Sequence, residues 1–433
     1  MNTIHKQMAA INGQPRLPLR GTSGQGLTMN GERKTVNGQR PFIPYAHQWI
    51  DEEDIQAVIE VLRSDWLTTG PKVAEFEKAL ADFVGAKEAI AVNSGTAALH
   101  AAMYAIGIGP GDEVILPPMT FVATANAVVF QGGTPIFADV DPDTLLIDPT
   151  EVEAKITPKT KAIIAVDYAG QPCDYDALQA IAKHHGLFLI ADACHSLGAE
   201  YKGKKTGTLA DVTVFSFHPV KHITTGEGGM ITTENEEYAE KMRLFRTHGI
   251  TRDPSKFARA NGKPQNSMLH APCALPFYYE MQDLGYNYRI TDIQSALGIS
   301  QLRKLPTFLE RRREIAAKYD EAFAELSGIN PLAVRPNLLH AYHLYVIRID
   351  SNILRIDRTA LFTKLREKGI GVNVHYIPVH LHPFYRENFN TGRGLCSVAE
   401  AVYEQIISLP MFPAMTDEDV GKVIVEVKNN VCG

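Results

Sequence analysis

Between residues 88 and 217 the chain alternates with a regular beat. Short apolar runs at 89–92, 113–116, 135–137, 162–166, 187–191 and 212–217 are separated by segments long enough for a helix. That alternation predicts a mostly parallel β-sheet covered by helices on both faces, with ligands gathering beyond the C-terminal strand ends. Upstream, Asp51 reads as a helix cap before Glu52, Glu53 and Asp54, and Ile55, Val58, Ile59 and Leu62 fall at helical spacing. Thr68-Thr69-Gly70-Pro71 breaks that pattern. A second amphipathic helix follows through Val73, Phe76, Leu80 and Phe83 and stops at Gly85.

Beyond Gly229 the pattern changes. A helix is expected over 235–246, then a long polar, aromatic-rich loop over 251–283 carrying Pro264, Pro272 and Pro276. Helix resumes over 290–302, and a long helix over 306–326 leads into a smaller domain. There 344–349 reads as a strand, 358–368 as a helix closed by Gly369, and 399–407 and 417–427 as helices. Residues 1–40 are rich in Gly, Asn, Gln and Arg and have no sustained hydrophobic period, so a disordered tail is expected. The division is a tail (1–40), a large domain (41–305) and a small α+β C-terminal domain (306–433).

Composition adds exclusions. The 433 residues are 45% hydrophobic and 21% charged with net charge −6, which is globular and unlike a non-specific nucleic-acid binder. Five scattered cysteines (Cys173, Cys194, Cys273, Cys396, Cys432) form no C-x-x-C, so neither a disulfide framework nor a zinc site is expected. No apolar run reaches the roughly 18 residues of a membrane span and no signal peptide is visible, so a cytoplasmic protein without a membrane or nucleic-acid partner is expected.

The candidate chemistry sits at strand ends. Asn93 to Leu99 (NSGTAAL) follows a strand and opens a helix, where free N–H groups and the helix dipole suit a phosphate; an ordinary capped turn reads the same way. Asp192 ends the run 187–191, as a metal ligand, a general base, a pyridinium partner or a helix cap. His195 lies three residues on. Val214 to Gly229 (VFSFHPVKHITTGEGG) runs from β-prone residues through Ser216 to Lys221 and a glycine cluster. A phosphate cradle, a strand-end Asp and a Ser-x-x-x-x-Lys in this order match the needs of pyridoxal 5′-phosphate (PLP): an anchor, a ring-nitrogen partner and an imine-forming lysine.

From about residue 41 onward the chain resembles the DegT-type sugar aminotransferases, within the fold-type I PLP enzymes. The motifs are Asn93 to Ala98, Thr120 to Asn126 (TFVATAN), Asp192 to Gly198 (DACHSLG), Phe215 to Lys221, Gly226 to Gly229 and Gly285 to Gly298 (GYNYRITDIQSALG). The resemblance implies a large domain with a mostly parallel seven-stranded sheet between helices. It implies that Gly95, Thr96 and Ser216 hold the cofactor phosphate, Phe121 stacks on the ring, Asp192 pairs with the ring nitrogen, and His195 lies near the ring's phenolic oxygen. Lys221 would carry the cofactor as an imine. Asn287 would reach the neighbouring subunit's phosphate, making the active unit a homodimer. Further segments, 64–70, 166–170, 276–287 and 375–380, resemble the branch that serves pseudaminic acid biosynthesis, and make Trp66, Thr68, Tyr168, His375 and Tyr376 candidate sugar-nucleotide contacts. The implied reaction is transfer of an amino group from L-glutamate to carbon 4 of a UDP-linked 4-keto-6-deoxy-N-acetyl-hexosamine. UDP-4-amino-arabinose and GDP-perosamine types remain open; Asp167 stands where the former is associated with His. A PLP-dependent sugar dehydratase carries His in place of Lys221. A non-catalytic PLP-binding sensor is the remaining alternative.

Overall fold

A computed structural model describes residues 42–431 except 258, 261–262 and 265–276. The tail expected over 1–40 lies outside these residues, as does part of the loop expected over 251–283.

The central sheet has seven strands: β1 (Glu88–Val92), β2 (Glu113–Leu116), β3 (Thr134–Phe137), β4 (Thr160–Val166), β5 (Phe188–Asp192), β6 (Val212–Ser216) and β7 (Gly229–Thr233), in the order β1-β7-β6-β5-β4-β2-β3. Every neighbouring pair is parallel except the two made by β7, which runs antiparallel to β1 and β6. Alternate side chains feed opposite cores. Ile90, Val92, Val212, Val214 and Ile231 join one, while Ala89, Ala91, Phe215 and Met230 join the other. Two buried faces explain why these strands read as solid apolar runs rather than as half-polar alternation.

The helices follow from their sequence signals. In α1 (Glu52–Leu62) the Asp51 carboxylate caps the amides of Glu53 and Asp54, and α2 (Pro71–Val84) starts with proline and ends at Gly85 in the left-handed conformation. Next come α3 (Gly95–Ala105), α4 (Val122–Phe130), α5 (Tyr175–His185) and α6 (Glu236–Phe245). The two helices expected over 290–302 and 306–326 are one, the 32-residue α7 (Asp292–Phe323) with Pro306 inside it. Proline removes the hydrogen bond to the Leu302 carbonyl, which costs roughly 3 kcal/mol. Burial of Leu302, Leu305, Phe308 and Leu309 around it offsets that loss, at about 1.5–3 kcal/mol for each large side chain. The division drawn at 305/306 therefore falls inside a continuous helix.

The last turns of α7 enter a second core with β8 (Ile329–Pro331), β9 (Tyr345–Ile349), α8 (Arg358–Glu367), β10 (Ile406–Leu409) and α9 (Asp417–Val431); the three strands form an antiparallel sheet. The helix expected over 399–407 is shorter, Ser397–Tyr403, because Ile406 and Ile407 belong to β10. Ala399, Val402 and Ile406 have helical spacing, but pairing with β9 wins for the last of them. No helix among the described residues is long and apolar enough to cross a membrane.

Candidate active site

Beyond the C-terminal ends of β1, β4, β5 and β6 lies a cavity of about 630 Å³. It brings together Gly95, Thr96, Phe121, Asp192, His195, Ser216, Lys221, His375 and Tyr376, which the sequence singled out, with Tyr45, Thr120, Thr124, Cys194, His343 and Asn373, which it did not.

Asp192 closes β5 and forms the floor. One carboxylate oxygen accepts from the Thr124 hydroxyl at 2.7 Å, and the other from the Cys194 amide at 3.3 Å. Thr124 in the first turn of α4 and Thr120 just before that helix lie 2.7 Å from each other. Behind the floor, Asp167 donates its backbone N–H to the Asp192 carbonyl at 3.1 Å. Its own carboxylate accepts from the Cys173 amide (2.9 Å) and from the hydroxyls of Tyr175 (2.9 Å) and Ser196 (2.6 Å). Burial nevertheless pushes Asp167 up to about 6.

On one flank, Ser94 caps α3 by accepting from the Ala97 amide at 3.1 Å. The amides of Gly95 and Thr96 then face outward from the helix start, with no intrahelical acceptor. A side chain at 95 would put its Cβ 2.9 Å from that of Ser216, so glycine lets the helix N-terminus and the Ser216 hydroxyl share one cradle. A Cβ on Gly229 would meet the Ser94 carbonyl at 2.5 Å, so β7 can start in this corner only as glycine.

Lys221 lies on the turn after β6, half-buried, its amine 3.4 Å from His343 Nε2. Burial pulls its ammonium below the ordinary lysine value, against the opposing pull of Cys194 and Asp192. Across the cavity Tyr376 Oη is 3.0 Å from His195 Nε2, and burial holds that imidazole well below its usual range. Phe121, 58% exposed, presents its ring 6.2 Å from that of Tyr376. His375 Nδ1 pairs with the Ser408 hydroxyl at 2.8 Å.

Four expected residues do not line this cavity. Tyr168 is buried behind it and donates its hydroxyl to the His375 carbonyl. Trp66 and Thr68 are exposed on the segment between α1 and α2, and Asn287 is exposed near Asn93, whose amide donates to the Asn287 carbonyl at 3.4 Å.

These groups fit PLP. The helix start and Ser216 offer an anion a cradle that a Cβ at 95 would fill. Asp192 keeps lone pairs for a further N–H donor, and Lys221 supplies an amine whose basicity is already lowered.

The buried imidazoles also set a stability profile. Burial draws His375 and His340 down to about 3 and His100 to about 4. In the unfolded chain each takes a proton near pH 6.5, so the folded state loses stability as pH falls below that value, by about 1.4 kcal/mol per unit and per group. Asp167, raised rather than lowered, opposes this between about pH 6 and 4 and offsets one histidine. Thermal melting followed from pH 7 to 5 should show the midpoint falling; a midpoint constant over that window would contradict the neutral, buried histidines.

The sequence profile of the DegT/DnrJ/EryC1/StrS aminotransferase family matches residues 48–428. The Bacillus subtilis spore coat polysaccharide biosynthesis protein SpsC is 44% identical over 92% of this chain and 99% of its own length. Among solved structures, Helicobacter pylori PseC, an aminotransferase involved in the biosynthesis of pseudoaminic acid, superposes with a TM-score of 0.81 at 36% identity, covering 90% of this chain and 99% of its own. Spr1654 from Streptococcus pneumoniae, in its PLP form, gives 0.80 at 33% identity over 90% and 98% of the two chains.

Proposed function

Because the chain belongs to the DegT/DnrJ/EryC1/StrS aminotransferase family, we propose that it moves an amino group from L-glutamate to carbon 4 of a UDP-linked 4-keto-6-deoxy-N-acetyl-hexosamine, in the cytoplasm. The protein is a PLP-dependent sugar transaminase of mostly parallel α/β fold. What carries the reading is the meeting of Lys221, Asp192 and the Gly95–Ser216 cradle in one cavity. The sugar is supported by the likeness to PseC, and a role in building polysaccharide by the likeness to SpsC.

Bound there, PLP supplies a carbonyl that exchanges amino groups and a ring that withdraws electrons. The Gly95 and Thr96 amides and the Ser216 hydroxyl hold the phosphate. Asp192, fixed by Thr124, keeps the ring nitrogen protonated. Phe121 covers a ring face, and His195, braced by Tyr376, meets the phenolic oxygen. Lys221, as a free amine once the donor is bound, would take the proton from the donor's α-carbon and deliver it to the cofactor's former carbonyl carbon, and would carry it the opposite way for the sugar. His375 and Tyr376 would contact the sugar nucleotide, with Tyr168 propping His375 from behind, and Trp66 and Thr68, which do not line the cavity, are contacts by resemblance alone. Asn287, which does not line its own cavity, would complete a second copy's phosphate site in a homodimer.

The test has two stages. The PLP-loaded protein should be yellow and bleach with L-glutamate; colour that survives glutamate and every keto sugar favours the sensor reading. The aminated enzyme is then offered UDP-, GDP- and dTDP-linked 4-keto sugars. Preference for the UDP-linked N-acetyl sugar is expected, and preference for a GDP or dTDP sugar would overturn the substrate while keeping the transaminase.

A further inference from the structure

The amine of Lys221 has a built neighbour. His343, 2% exposed, brings Nε2 to 3.4 Å from it. The segment entering β9 holds His343 by several anchors. The Ala341 and Leu344 amides donate to the carbonyls of Gly170 (3.0 Å) and Ala169 (3.1 Å). The buried guanidinium of Arg312, from the middle of α7, donates to the carbonyls of Tyr342 (3.1 Å), His343 (3.4 Å) and Met411 (3.0 Å). A Cβ on Gly170 would lie 2.9 Å from the His343 nitrogen, so the two segments are in direct backbone contact.

The other ring nitrogen decides what His343 can do. Nδ1 is buried and has no hydrogen-bond partner among the described residues. A buried N–H without an acceptor is rarer and more costly than an unfilled acceptor. Nδ1 is therefore the bare nitrogen, and Nε2 carries the hydrogen. An Nε2–H can donate only to a lone pair, which a neutral amine has and an ammonium lacks. The titratable groups around His343 are Lys221, His195, His222 and Arg312; those around Lys221 also include Cys194, Asp192 and His375. The cations among them also disfavour a proton on His343, so its neutral form is the one that meets Lys221.

We propose that His343 is the positioning residue for Lys221: its Nε2–H holds the lysine as an unprotonated amine aimed into the cavity whenever that nitrogen is not bonded to cofactor or substrate. The proposal rests on the reading of Lys221 as the reacting amine.

The full-length protein, stripped of cofactor, is mixed with PLP between pH 6 and 10, and the rate of capture is read from visible absorbance. In His343→Leu the capture profile should move up by about half to one pH unit, with capture at pH 7 about three- to tenfold slower, the worth of one hydrogen bond. His343→Gln, whose side-chain N–H can donate, should stay within about twofold of the parent. In the loaded enzyme kcat should fall with the same ranking while KM for glutamate holds. A side chain that merely fills space predicts no shift or a downward one, because leucine makes the surroundings more apolar; either result overturns the proposal. Should His343→Leu not fold, His343→Met, equally unable to donate, is read the same way. Lys221→Ala serves as the control. If it still forms the parent's visible band, the reading of Lys221 itself fails; if it loses the band while the His343 variants behave as the parent, only the role of His343 fails.

Discussion

Lys221→Ala is expected to lower amino transfer by about 10³-fold or more, while the protein stays folded and still takes up PLP. A positioned acid–base group contributes roughly 10²–10⁴ in rate, and the alanine variant would also lose the proposed covalent hold on the cofactor. Uptake should persist because the amides of Gly95 and Thr96, the Ser216 hydroxyl and the Asp192 carboxylate reach the cavity from other elements. Stability should hold or rise. The lysine is drawn below its ordinary value by burial, so removing it relieves a desolvation penalty, while a water entering the vacated space can accept from His343 Nε2 in its place. The measurement is amino-sugar formation beside a thermal melt; turnover within tenfold of the parent would remove Lys221 from the mechanism.

Asp192→Asn should act differently. The substitution keeps the shape of the side chain, and Thr124 can still donate to its carbonyl oxygen. What disappears is the negative charge on the cavity floor. Without it a bound pyridine nitrogen has no counter-ion to keep it protonated, and the electron-withdrawing ring weakens. Loss of one preorganised electrostatic partner typically costs about 10²–10³ in rate, and a similar fall in kcat is expected for both half-reactions. PLP capture should change far less, because the phosphate cradle and Lys221 are intact. Stopped-flow measurement of each half-reaction separates these effects; equal losses in capture and in turnover would make Asp192 an anchor rather than an electronic partner.

The sequence exposes those two residues because each falls at a recognisable place, Asp192 at the end of an apolar run and Lys221 between β-prone residues and glycines. The seven-stranded sheet was legible for a related reason: strands buried on both faces stand out as apolar blocks. β7 was the exception as a pattern. Gly229 to Thr233 is short, two of its five residues are threonine, and its burial arises from lying between β1 and β6 rather than from its own hydrophobicity. His343 was illegible. It lies 122 residues from Lys221, and nothing in the spacing around it distinguishes it from the residue before a strand. Thr124 lay inside a recognised motif, yet its bond to Asp192 spans 68 residues and depends on how α4 is seated. The unbroken α7 escaped because local rules stop a helix at Pro306, whereas burial on either side of it carries the helix through.

The place of β1 in the sheet bears on how the chain is made. β1 is an edge strand whose ladder partner is β7, with Val92 opposite Gly229, about 140 residues later. At a synthesis rate of about 5–20 residues per second, β1 leaves the ribosome roughly 7–30 seconds before that partner exists. Throughout the wait, Ala89 to Val92, all buried in the finished protein, have no strand to pair with. The same return of β7 into the glycine-lined corner that completes the proposed phosphate cradle therefore also ends the period in which this apolar strand is open to wrong partners, and ties assembly of the site to one of the latest pairings of the sheet.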